Sequence, residues 1–134
     1  MQAQQRAGGL CWRYWFDYVA EAEHATYTNG AWHGNEVPYV FDTLGQVEPS
    51  RQYVNERDLA FAAQVADYWV SFARDAGARD SLVGPTRWPA CRKGRDVLLR
   101  IGVNKHAGFR LENRFMRARM SLFKRVMKHH VSLD

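Results

Sequence analysis

Apolar and polar positions alternate over residues 10–19, LCWRYWFDYV. Trp12, Tyr14, Phe16 and Tyr18 fall on one face of an extended chain, and Trp15 and Val19 on the other. Period-two spacing with aromatic enrichment predicts a strand, and apolar groups on both sides predict one covered on both faces. Residues 20–32 are a connection with Asn29-Gly30 as a turn signal. The stretch 35–44, NEVPYVFDTL, predicts a short helix, with Pro38 near its first turn and Gly45 ending it.

After a polar loop at 46–54 the period changes. Over 55–76 Phe61, Val65, Trp69 and Phe72 recur at helical spacing, widened by Leu59, Ala62, Ala66, Val70 and Ala73. Asn55 is a fitting N-cap, Glu56 and Asp58 occupy the first turn, and Gly77 suits a C-terminal stop. Residues 77–94 read as loop around Gly84-Pro85 and Trp88-Pro89. VLLRIGV at 97–103 predicts a second strand, and 104–110 turn the chain. A last helix is predicted over 111–128, with Leu111, Phe115, Ala118, Leu122 and Val126 as its apolar stripe. There is no internal repeat and no low-complexity segment. The class is α/β. Two strands and about three helices leave the sheet incomplete, because two strands are rarely stable alone. This predicts a piece of a larger α/β fold, or a chain that needs a partner.

Composition agrees with one globular unit. The 134 residues suffice for one ordinary domain, and 46% hydrophobic content excludes a disordered chain. The net charge of +5 is concentrated near one end. Arg110, Arg114, Arg117, Arg119, Lys124, Arg125 and Lys128 face only Glu112 in that stretch. Cys11 and Cys91 are the two cysteines; they form no disulfide framework, although a bond between them stays open. No apolar run is long enough to span a membrane, and MQAQQRAGGLCWRYW carries no export signal, which favours the cytoplasm.

The stretch with candidate chemistry is Gly30-Ala31-Trp32-His33-Gly34-Asn35-Glu36-Val37-Pro38-Tyr39-Val40-Phe41. A histidine stands on a loop just after an aromatic strand and just before a helix. Loops at the C-terminal edge of an α/β sheet collect ligands and catalytic groups. A histidine there can take a proton from a nucleophilic hydroxyl and return it to a leaving alcohol.

This H-G-x-E-(V/L/I)-P-Y-V-F pattern resembles the histidine region of type B carboxylesterases, the family of para-nitrobenzyl esterases and relatives of cholinesterases. The resemblance continues in order through Tyr14-Trp15-Phe16-Asp17-Tyr18-Val19 upstream, Tyr68-Trp69-Val70-Ser71-Phe72-Ala73 downstream, and Arg87-Trp88-Pro89-Ala90 before the last strand. It covers roughly residues 10–102. It implies the C-terminal portion of an α/β-hydrolase fold, a small carboxylic ester as substrate, the remainder of the hydrolase domain as partner, and no cofactor or metal. Such enzymes order their triad Ser, Asp or Glu, then His. The resemblance therefore implies that His33 is the triad base. Ser50, Ser71, Ser81, Ser121 and Ser132 all lack the flanks of a G-x-S-x-G elbow. The nucleophile, acid and oxyanion hole are thus expected outside these residues, and the chain alone is expected to be inactive. Cys91 departs from the family, which has an aromatic residue there. The segment 74–87 lacks the common T-G-x-P-N loop, and the basic tail matches no family role.

The other candidates have plainer readings. Glu36, three residues after His33, fits a helix-dipole or capping role better than a triad acid. His24, His106, His129 and His130 read as exposed. Trp32 fits a substrate pocket or the core equally. Clustered cations at 111–128 could serve a nucleic acid or an anionic membrane. A charged face opposite an apolar stripe is the ordinary state of a surface helix, so no nucleic acid is expected as partner. A truncated, non-catalytic remnant of an esterase is the other alternative.

Overall fold

The computed structural model describes residues 6–46, 48–92 and 94–130. Two strands form its central pair. β1 (Tyr14–Tyr18) lies parallel to the first part of β4 (Val97–Asn113), with Tyr14 opposite Leu99 and Phe16 opposite Ile101. A parallel pair needs a long crossover. Here the crossover carries α1 (Val37–Val40), α2 (Glu56–Asp75) and a small antiparallel pair, β2 (Ser81–Leu82) with β3 (Trp88–Pro89).

β1 is shorter than the aromatic alternation predicts, and it is not covered on both faces along its length. Tyr18 is 2% exposed, but Tyr14 and Trp15 are 40% and 41% exposed. Residues 11–13 are held otherwise: Cys11 bridges Cys91, and the Trp12 indole donates to the Trp88 carbonyl at 3.2 Å.

α2 matches its prediction because its signals are local. The Asn55 side chain accepts from Arg57 N and Asp58 N, while the Asp58 carboxylate accepts from Asn55 N at 2.9 Å. This reciprocal box closes the first turn. The buried line runs through Phe61, Ala62, Val65, Tyr68 and Ser71. Phe72, expected in the stripe, is largely exposed, and Trp69 is half-buried. Tyr68 turns inward because its hydroxyl finds partners there: it donates to Thr86 O and accepts from Thr86 N at 2.8 Å. Gly84 makes the room, since a Cβ there would overlap the Tyr68 ring. Gly77 is not a left-handed stop. The helix ends by wrapping Ala78 N and Arg79 N onto the Asp75 carbonyl, both at 2.9 Å.

α1 is one turn, not the helix over 35–44. Glu36 sits at its N-cap with no side-chain capping bond, so capping does not explain that residue.

The larger difference is at the end of the chain. β4 doubles back about Asn104 and Lys105, whose φ values of 52° and 70° are both left-handed, as tight hairpin turns require. The return arm is tied to the outgoing one by Arg114 N on Asp96 O at 3.0 Å and by Arg100 near Glu112 at 3.7 Å. Phe109 on that arm reaches Phe61 and Tyr68, with ring centroids 5.1 and 5.2 Å away. Leu111 therefore belongs to strand, and α3 (Arg117–His130) begins later than predicted. Its apolar positions are open: Met120, Leu122, Phe123 and Val126 are each about half exposed. No helix among the described residues is long and apolar enough to cross a membrane.

Candidate active-site segment

β1 and the outgoing arm of β4 run in the same direction, and the chain leaves β1 at Tyr18. Three contacts fix its path beyond that residue. The Tyr18 hydroxyl donates to the Asp58 carboxylate in the first turn of α2. Asp58 also accepts from Glu21 N at 3.3 Å, which holds the short 3-10 turn Glu21–Glu23 against the helix start. Lastly, the Asn35 amide donates to the Tyr18 carbonyl at 2.9 Å, in a buried contact.

Asn35 thus pins the turn that carries His33 to the end of β1. Residues 33–36 form this turn, with Asn35 N on Trp32 O at 3.2 Å and Val37 N on Gly34 O at 3.1 Å. Gly34 has φ +82°, a conformation glycine adopts without strain. Pro38 follows in the first turn of α1, and Tyr39 behind it is buried against Phe16 and Tyr18. The turn is therefore held from below, and the His33 imidazole stands exposed on top. An exposed ring on an anchored turn can exchange a proton with a group brought to it.

Among the described residues no acid or serine pairs with His33. Glu36 makes no ion pair with it among the described residues. Its carboxylate instead lies near Tyr14, whose pKa is raised by burial first and by the Glu36 charge second. Three of the serines are occupied elsewhere. Ser50 donates to Leu44 O, Ser71 accepts from Val83 N, and Ser81 accepts from the Arg87 guanidinium. Trp32 is 45% exposed and faces Tyr27, so it is not core. Two surface hollows, of about 650 and 1100 Å³, are lined by residues 78–87 and by the segment around Cys11 and α3; His33 lines neither.

His24 differs from its expected exposure. It is half-buried, its Nε2 lies 2.8 Å from the Val19 carbonyl, and its ring meets the exposed His106 at 5.2 Å. The side chains of His129 and His130 lie outside the described residues, as does Ser132. Sequence reasoning missed Asn35 and Asp58 as supports of the histidine turn. Asp58 carried a visible signal as a capping residue, but its link to Tyr18 spans 40 positions.

A search of curated proteins finds no match to this sequence. Solved structures do resemble the fold. A PNB esterase superposes with TM-score 0.61 at 17% identity, covering 84% of this chain and 21% of the esterase. Another PNB esterase structure gives 0.64 at 20%, covering 87% and 22%. A carboxylesterase from Geobacillus stearothermophilus, solved at pH 6.2, gives 0.65 at 25%, covering 89% and 23%. The chain spans about a fifth of the length of these esterases, and its incomplete sheet is part of an α/β-hydrolase architecture. The family model described as Carboxylesterase family matches residues 1–122. The chain belongs to the carboxylesterase family.

Proposed function

We propose that this chain is the C-terminal segment of a serine carboxylesterase and supplies its general base, His33. The observation that carries this reading is the exposed imidazole on a turn pinned by Asn35 to the end of β1, within a sequence of the carboxylesterase family. The rest of the hydrolase domain supplies the nucleophilic serine, the acid that orients His33, and the oxyanion hole. In the first step His33 takes the serine proton as the serine oxygen attacks the ester carbonyl. It then returns the proton to the departing alcohol, leaving an acyl-serine. Water, deprotonated by His33, releases the acid.

The open surfaces support dependence on the rest of that domain. The second edge of β1 has no strand partner among the described residues, Tyr14 and Trp15 are exposed beside it, and the apolar side of α3 is open. The substrate is a small carboxylic ester, and the chain alone is inactive because a base without nucleophile and oxyanion hole loses most of the arrangement.

The test is hydrolysis of a p-nitrophenyl ester by the complete enzyme containing this segment. His33→Ala is expected to lower kcat by about 10⁴-fold or more. A complete His33→Ala enzyme that keeps most of its activity would refute the role. A 134-residue chain that hydrolyses the ester by itself, with loss on His33→Ala, would refute the dependence on the rest of the domain.

A further inference from the structure

We propose that Cys11 and Cys91 are the two ends of an intrachain disulfide, formed by exchange with an anionic low-molecular-weight disulfide. The chain holds two cysteines, about 80 residues apart, and the fold places them directly opposite each other in an antiparallel bridge. Cys91 N donates to Cys11 O at 2.7 Å. Opposed residues of such a pair point their side chains to the same face, with Cα atoms about 5.5 Å apart. A disulfide spans about 4.4–6.8 Å between Cα atoms, so the backbone already has the required separation. Flanking bonds hold the two segments in this register: Trp12 Nε1 on Trp88 O at 3.2 Å and Leu99 N on Arg13 O at 2.9 Å. Arg13 also pairs with Asp96.

The two thiols differ in access. Cys91 is 2% exposed, and its Sγ donates to the Val97 carbonyl. Burial raises its pKa above the ordinary thiol value, and a charge on Cys11 raises it further. Cys11 is half-exposed and lines a groove of about 1100 Å³ together with Arg92, Arg114, Arg117 and Lys124. These cations favour a negatively charged reagent such as glutathione disulfide.

The Cys11 thiolate attacks one sulfur of the reagent and expels one thiolate. Cys91 then gives its proton to solvent and attacks the Cys11 sulfur, forming the Cys11–Cys91 bond and expelling the second thiolate. The protein loses two electrons and two protons, and the reagent gains two electrons and leaves as two thiols. The bond staples the lead-in of β1 to the segment before β4, and it does not depend on the role of His33.

The test equilibrates the complete enzyme containing this segment with glutathione redox buffers, in native buffer and in urea. Remaining thiols are then alkylated, and peptides are mapped by mass spectrometry without reduction. The expected product is a monomer with a Cys11–Cys91 peptide. Its formation should be favoured at least about tenfold in native buffer over urea, because folding has already brought the ends together. Cys91→Ser should trap a glutathione adduct on Cys11. Mixed disulfides or intermolecular dimers in place of the internal bond would overturn the proposal, as would equal formation in native buffer and urea. The native-against-urea comparison uses the unaltered enzyme, so it decides the question even if the variant fails to fold.

Discussion

The Tyr18 hydroxyl donates to the Asp58 carboxylate across two elements, and the residues are 2% and 0% exposed. One carboxylate thereby closes the cap of α2 and holds the chain where it leaves β1. Removing the donor leaves a buried acceptor short of a partner. Tyr18→Phe is expected to destabilise the fold by about 1–3 kcal/mol. Asp58→Ala should cost more, because it also removes a capping interaction worth about 1 kcal/mol. Urea unfolding of the complete enzyme containing this segment measures both. Changes below about 0.5 kcal/mol in each variant, the size of an ordinary surface substitution, would show that the contact does not hold the two elements together.

Legibility in the sequence divides along the same line. α2 could be read because its cap, its period and its acidic first turn are all local. The His33 turn could be read because Asn29-Gly30, Gly34 and Pro38 punctuate it within a short span. What escaped was set by contacts between distant positions. Asn35 read as the start of a helix, and its amide instead found the Tyr18 carbonyl. Residues 111, 115, 118, 122 and 126 fit a helical stripe, but the turn at Asn104 and Lys105 returns the chain along β4. Phe109 then packs on Phe61 and Tyr68, which draws the following residues into strand. β2 and β3 are too short for any period to declare them.

Buried tyrosines make the fold sensitive to alkali. Burial, reinforced by Asp58, raises the Tyr18 pKa above its ordinary value; burial does the same for Tyr39 and Tyr68. A phenol whose folded pKa exceeds the unfolded one contributes stability that is complete below the unfolded value, near 10. That stability is lost as pH rises above it, because the unfolded state releases its protons first. Through these groups the unfolding midpoint should be flat from about pH 7 to 9 and fall above about pH 10. Tyrosinate absorbance from the buried rings should rise together with the loss of helix. Ionisation of all the tyrosines near pH 10 with the helix intact would contradict this.

Two glycines should respond oppositely to alanine. Gly102 has φ +82°, and a Cβ there would overlap the Tyr18 backbone, where neither partner can move cheaply. Gly102→Ala is expected to cost about 2 kcal/mol or more, from strain and overlap together. At Gly77 an added Cβ would have no neighbour within 4 Å, and the backbone needs no left-handed φ. Gly77→Ala should be neutral or stabilise by up to about 1 kcal/mol. Thermal unfolding of the two variants side by side decides it. Equal losses would mean that the approach of Gly102 to Tyr18 is not as tight as described.

Asn35, two residues beyond His33, donates to the Tyr18 carbonyl, and its expected effect on activity rests on the proposed role of that histidine. Loosening the turn should misplace the imidazole without removing it. In the complete enzyme Asn35→Ala is expected to lower kcat by about ten- to a hundredfold, the scale of a small displacement of a catalytic group. It should also destabilise by about 1–3 kcal/mol, because a buried carbonyl loses its donor, so the assay belongs at a temperature where the variant is fully folded. A positioning residue has nothing left to position once its target is gone. In a His33→Ala background the Asn35 substitution should therefore cost nothing further in kcat. Losses that multiply in the double variant would show that Asn35 acts on activity by a route other than His33.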